Sequence, residues 1–318
     1  MTNFQVYRKT LSFSLIMFLT DLLALAVFLG CCTAGFFIFK SMPLIGLLIG
    51  FIVGLLATIP ISIFLTNRVK AAQIAMMTKG VNEGALPDHA FKEGFNEIRG
   101  RFASITVFFF ITRAIKGIFQ QIGRTANQIG TAVGGSVGNS VTSTIDSAIQ
   151  TVIGYLCDCC LGWVLFRKDE NPFKAGCEGA VIFFKHGKTL IRNIGRIFGM
   201  GFLSFLVIGA LHFGIFFLIF SAFPNMFDAL AAEIAASGSD VPAFLTNPTT
   251  FMVVVAAIGG VIMWGILHSI LVRPFILVGV LRNFMAAGKE HMPSEKDFAE
   301  LENKYPKFAK LRQKAETN

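Results

Sequence analysis

From Leu11 to Phe39 the chain carries one charged residue, Asp21, and from Pro43 to Leu65 it carries none. A transmembrane helix needs about 20 consecutive apolar residues, so either run is long enough to cross a bilayer. Phe198–Phe220 and Thr250–Val272 are further runs of this kind, interrupted only by His212 and His268. In hydrocarbon every backbone N–H and C=O must bond within its own segment, which makes continuous apolar runs helices. The expectation is an all-α, polytopic integral membrane protein with four spans. Composition agrees: 54% of the 318 residues are hydrophobic and 15% are charged, against about 25% charged in a soluble domain. The first run outlasts a signal-peptide core of roughly 7–15 residues, so it is expected to be retained.

These runs divide the chain. Residues 1–65 form a transmembrane hairpin that turns at Ser41-Met42-Pro43, and 198–281 form a second. Between them lie a charged segment 66–101, a region 102–166 rich in small residues, and a basic segment 167–197. Residues 282–318 are a charged tail. In the first hairpin Gly46, Gly50, Gly54 and Thr58 recur every four residues, a stripe that lets another helix approach closely. Lys and Arg crowd 66–101, 167–197 and the tail, whereas Ala222–Thr249 has Asp228, Glu233 and Asp240 and no cation. The positive-inside rule then puts both termini in the cytoplasm. The formal net charge of +9 is read as cytoplasmic loops facing anionic lipid, with no nucleic-acid module present.

The stretch TANQIGTAVGGSVGNSVTSTI, Thr125 to Ile145, is uncharged yet too polar for lipid. Around it Ile118, Ile122, Ala126, Ile129, Val133, Val137, Val141, Ile145, Ala148 and Val152 recur at steps of four and three. That spacing predicts a narrow apolar stripe on a helix; an extended strand is the alternative, since several of these residues also fit a period of two. Gly130, Gly134, Gly138, Asn139 and Thr142 are candidates for an assembly face or a pore lining. The segment is read as facing protein or water: a solute pathway, a surface helix, a contact between copies of the chain, or a buried packing helix. Region 102–166 crosses the membrane either twice or not at all.

Ionisable groups inside spans are expensive, which makes Asp21, His212, His268 and Arg273 candidate intramembrane sites. Lys185, Lys188, Arg192 and Arg196 alternate with apolar residues in AVIFFKHGKTLIRNIGRIF and read as cations reaching lipid headgroups. The CDCC cluster, Cys157 to Cys160, lacks zinc spacing and reads as lipidation sites or inert thiols. No P-loop, GxSxG, HExxH or dinucleotide fingerprint occurs, so no enzymatic activity, metal or cofactor is expected.

Three pieces, YLCDCCLGWVLF, KTLIRNIGRIF with Arg192-Asn193, and FILVGVLRNFMAAG, resemble the C-terminal part of the choline transporter-like family. The resemblance covers residues 102–310 and implies solute transport. The expected function is an oligomeric channel or transporter for a small solute or ion, with a bilayer-shaping scaffold as the alternative. Its expected partners are membrane lipid and further copies of the chain.

Overall fold

The computed structural model of the chain describes residues 1–39, 43–61, 65–101, 111–118, 120–121, 139–236, 242 and 246–317. Of residues 43–44, 47, 139–149, 187–196, 230, 233–234 and 236 only the backbone is described. The described residues are almost wholly helical, with no strand among them. They fall into two compact units, Met1–Gly195 with Pro274–Asn318, and Arg196–Arg273.

The first unit begins with α1, Asn3–Ile38, opened by a capping box in which Thr2 and Gln5 satisfy each other's backbone N–H. α2, Pro43–Ile61, runs back along α1. The glycine stripe faces this partner. A Cβ on Gly35 would overlap the carbonyl oxygen of Gly46, and one on Gly50 would overlap that of Cys31. Gly54 meets Phe28, where a Cβ would lie 2.9 Å from the ring. The outer faces stay open: Leu19 and Leu56 are about 60% exposed, as lipid-facing side chains must be.

α3, Asn67–Asn82, turns back along the first part of α1. It lies inside the segment read from sequence as charged, yet it is buried nearly all round, from Ala71 through Thr78. Its small residues allow this, and its polar group is matched: Gln73 donates to Thr10 O at 3.2 Å and Ser14 Oγ at 2.7 Å on α1. α4, Ala90–Arg101, covers the same face of α1, with Phe91 against Phe13. A short helix, α5, occupies 111–118 and 120–121. α6, Asn139–Phe166, and α7, Pro172–Ser204, follow. Val141, Ile145, Ala148 and Val152 thus lie on a helix, as the spacing predicts; Gly130, Gly134 and Gly138 lie outside the described residues.

Cys159, Cys160 and Cys177 are buried free thiols in the α6–α7 contact. Burial holds Cys159 and Cys160 well above the ordinary thiol range and pushes Cys177 up to about 12. Of the two readings of the CDCC cluster, inert thiols fit Cys159 and Cys160, because nothing can reach them without opening the core.

The second unit holds the helical segment Ile197–Ser221, interrupted by a π turn at Phe205–Gly209 and continued by α8, Ala210–Ser221. α9, Pro224–Ala236, leads to α10, Pro248–Leu267, which starts with Asn247 accepting from Thr250 N. A second π turn, His268–Val272, passes into α11, Arg273–Glu290. Within the unit α10 packs back on the first segment, and a Cβ on Gly260 would sit 3.0 Å from Gly209 O. The chain ends in α12, Glu295–Lys304, and α13, Pro306–Thr317.

Among the described residues three helical segments, Asn3–Ile38, Ile197–Ser221 and Pro248–Glu290, are long and apolar enough to cross a membrane. Leu48–Ile61 of α2 and Gln150–Phe166 of α6 are further apolar helical stretches. The expectation of four spans is thus met in part, by three such segments among the described residues.

The hairpin contact makes a sharp prediction. Gly50→Leu should separate α1 from α2, because the obstacle is backbone that cannot move aside, at a cost beyond the roughly 1–3 kcal/mol of ordinary overpacking. Gly30→Leu should be tolerated, since nothing lies within 4 Å of its Cβ. Disulfide cross-linking between cysteines placed on α1 and α2 reads the difference.

Candidate functional site

The second unit brings three polar side chains together in an otherwise apolar hairpin. Ser204 precedes the first π turn, His268 opens the second, and Trp264 lies one turn before His268. Ser204 Oγ is 2.7 Å from Gly201 O, 3.1 Å from Trp264 Nε1 and 2.9 Å from His268 Nδ1. A serine has one proton and two lone pairs. Gly201 O only accepts, so it takes the proton. Trp264 Nε1 only donates, so it fills one lone pair. Donor counting therefore assigns the other to His268 Nδ1–H. Phe205 stacks edge-on against Trp264 at 5.1 Å and seals one side. Gly201 leaves the His268 edge open, with a Cβ there 3.8 Å from Cε1.

This arrangement is a hydrogen-bonded polar cluster held at span depth. By helix rise Ser204 is about 10 Å along the segment from Ile197. Both π turns contribute, since each widens the helix by one residue, and such turns often mark functional sites. A nucleophilic role for Ser204 is disfavoured by the same geometry: its proton is committed to Gly201 O, and Trp264 occupies a lone pair.

The other candidates separate. His212 Nδ1 bonds Ile208 O of its own helix at 2.8 Å. Arg273 is half-buried at the end of the second π turn. Asp21 is exposed on α1 and accepts from Thr66 Oγ1 at 3.3 Å. Thr66 immediately precedes α3, so Asp21 sits level with the base of the first hairpin. Asn139 and Thr142 are on the first turns of α6, their side chains outside the description. Lys188, Arg192 and Arg196 are on α7 with side chains likewise outside it.

Lys185 instead pairs with Asp297 on α12. Burial pushes the Asp297 carboxyl up, but Lys185 and the N–H and O–H of Ser294 outweigh it and hold the group at about 2. Two buried charges in α6 and α7 were not picked out from sequence. Asp158 pairs with Lys70 at 2.6 Å. Glu178 accepts from Trp163 Nε1 at 2.9 Å and Arg167 Nε at 3.0 Å. Ser204 and Trp264 were passed over as well; the Trp264/His268 spacing of four was the one signal available, and Ser204 looks like any residue of an apolar run.

Among the described residues these features define a helical protein with three segments long and apolar enough to cross a membrane and a hydrogen-bonded polar cluster in one hairpin. Comparison with protein-family models, curated proteins and solved structures found no match for the chain.

Nitrogen-15 spectra should show a protonated Nδ1 and an unprotonated Nε2 at His268 near neutral pH. Ser204→Ala should abolish that preference and destabilise the hairpin by about 1 kcal/mol, since it leaves two part-buried donors without their acceptor. A second expectation concerns acid. A carboxyl depressed on folding stabilises at pH above its unfolded value, and that stability fades as pH falls through the folded one. The Asp297 contact should therefore weaken between pH ~4 and ~2. Circular dichroism of the wild type should show an acid step there that Asp297→Asn lacks.

Proposed function

We propose that the chain is a membrane scaffold: its apolar hairpins anchor a helical body at the bilayer, with both termini cytoplasmic and four spans in all. One observation carries this reading. The polar side chains of the apolar segments bond within their own hairpins. Thr20, Thr33 and Thr58 donate to Ile16 O, Leu29 O and Leu55 O, and Ser221 donates to Phe217 O. Ser204, Trp264 and His212 are similarly engaged. These described segments therefore offer lipid an apolar surface and offer a solute little to bind. The Lys- and Arg-rich segments lie in the body, which supports its cytoplasmic placement.

Assembly into a homo-oligomer belongs to the same proposal. The Gly46/Gly50/Gly54 face is occupied by α1, so residues 118–152 are the remaining small-residue face for a second copy.

A transporter for a small solute or ion is the second reading. His268 beside two π turns favours it, and the family resemblance agrees.

Proteoliposomes separate the two. The scaffold predicts no flux of choline, other small cations or protons above that of empty vesicles, together with an oligomeric mass in mild detergent. Solute movement abolished by His268→Phe would replace the scaffold with the transporter. In the same vesicles an impermeant thiol reagent should reach a cysteine at Asp228 and one at Lys310 from opposite sides.

A further inference from the structure

The start of α1 and the α3–α4 turn enclose an open crevice of about 320 Å³. Met1, Gln5, Arg8 and Lys9 line it from the start of α1, and Gly84, Ala85 and Leu86 from the turn, with the Met1 ammonium donating to Gly84 O at 3.5 Å. Positions 5, 8 and 9 share one helical face. The opposite wall is fixed by packing: Leu86 is buried, and Gly84 turns the chain at φ +72°, where a side chain would be strained. The α1 wall is fixed as well. Arg282 reaches across from α11, its Nε donating to Asn3 Oδ1 at 2.7 Å and its Nη2 to Met1 O at 2.8 Å. Gln5 Oε1 is held by Thr2 N at 2.8 Å, which leaves its amide N–H groups as donors.

The lining is thus rich in donors. Two full positive charges stand on adjacent residues, and neither Arg8 nor Lys9 makes an ion pair among the described residues. The neighbouring carboxylates, Glu83 and Asp88, are outside the lining. Like charges held side by side without a counter-ion repel, and an anion with several acceptor oxygens would relieve that and use the donors together. The volume falls at the lower end of small-ligand sites, enough for a phosphate and its substituent.

We infer that this crevice binds a phosphate group, either of an anionic lipid headgroup or of a soluble phosphate. Arg8 supplies a planar fork that matches two phosphate oxygens, and Lys9 adds a point charge. Arg8 and Lys9 stand about 20 Å along α1 from Asp21, on the part of the helix that walls the helical body, and the open mouth admits a phosphate from either source. The inference is independent of whether the chain is a scaffold or a transporter.

The test uses the full chain in phosphatidylcholine nanodiscs. Inorganic phosphate is titrated into one set, and phosphatidylglycerol is built into another at increasing fractions. Thermal midpoint and native mass spectrometry report binding. The wild type is expected to respond to at least one probe. A response to phosphate in pure phosphatidylcholine assigns a soluble ligand, and a response to phosphatidylglycerol alone assigns the headgroup. R8Q/K9Q should weaken the response about thirtyfold, at about 1 kcal/mol for each cation removed. Ala85→Phe, which fills the crevice and keeps both charges, should weaken it too. K296Q/K310Q, which removes two exposed charges elsewhere, should leave it unchanged, and R8K/K9R should retain it. If R8Q/K9Q fails to fold by circular dichroism, Ala85→Phe decides. No wild-type response to either probe would overturn the inference. So would unchanged binding in Ala85→Phe, or an equal loss in K296Q/K310Q.

Discussion

One helix is longer than a bilayer is thick. α1 has 36 residues, roughly 54 Å at 1.5 Å per residue, while the hydrocarbon core is about 30 Å. Its length is therefore divided, and the glycine contact decides where. Gly35 against Gly46, Cys31 against Gly50 and Phe28 against Gly54 set an antiparallel register. Carried on, that register brings Thr66 beside Asp21 and sends α3 back along the first turns of α1. The latter part of α1 then faces lipid, and the first part becomes a wall of the helical body.

Small side chains recur wherever helices of the body meet. Gly162 admits Thr78 and Leu281, Gly179 admits Cys160, and Gly288 lies under the Trp163 ring. Close approach leaves no room for water, so each buried charge needs a partner. Asp158 has Lys70, and Glu178 has Trp163 and Arg167. Removing one member of such a pair strands the other, which commonly costs about 3–5 kcal/mol, although the intact pair contributes far less. Their value lies in fixing which faces of α3, α6 and α7 meet.

The second unit handles polarity differently. Its polar atoms are few, and a network absorbs them. Trp264, Ser204, Gly201 and His268 form a chain in which each donor finds an acceptor. Low local dielectric strengthens such bonds and penalises any left unmade. His268 enters the network through Nδ1 alone, so its second ring nitrogen takes no part in this brace.

Much of this was legible in the chain itself. Apolar runs of about 20 residues announce helices that cross or lie in a membrane, because hydrocarbon permits little else. The Gly46/Gly50/Gly54 repeat announced a close contact, and the row from Val141 to Val152 announced a helix. What a one-dimensional pattern cannot carry is the identity of a partner. Lys185, read as a headgroup-seeking cation, pairs with Asp297 more than a hundred residues away. Asp21, apparently deep in a span, sits at a hairpin base because α2 pairs with only part of α1. The charged segment 66–101 hides a helix buried nearly all round, since Ala71, Ala72 and Ala75 look neutral to hydropathy yet pack closely. Local chemistry determined the helices and the membrane; burial, register and the pairing of charges were decided by tertiary structure, because they depend on which surfaces finally touch.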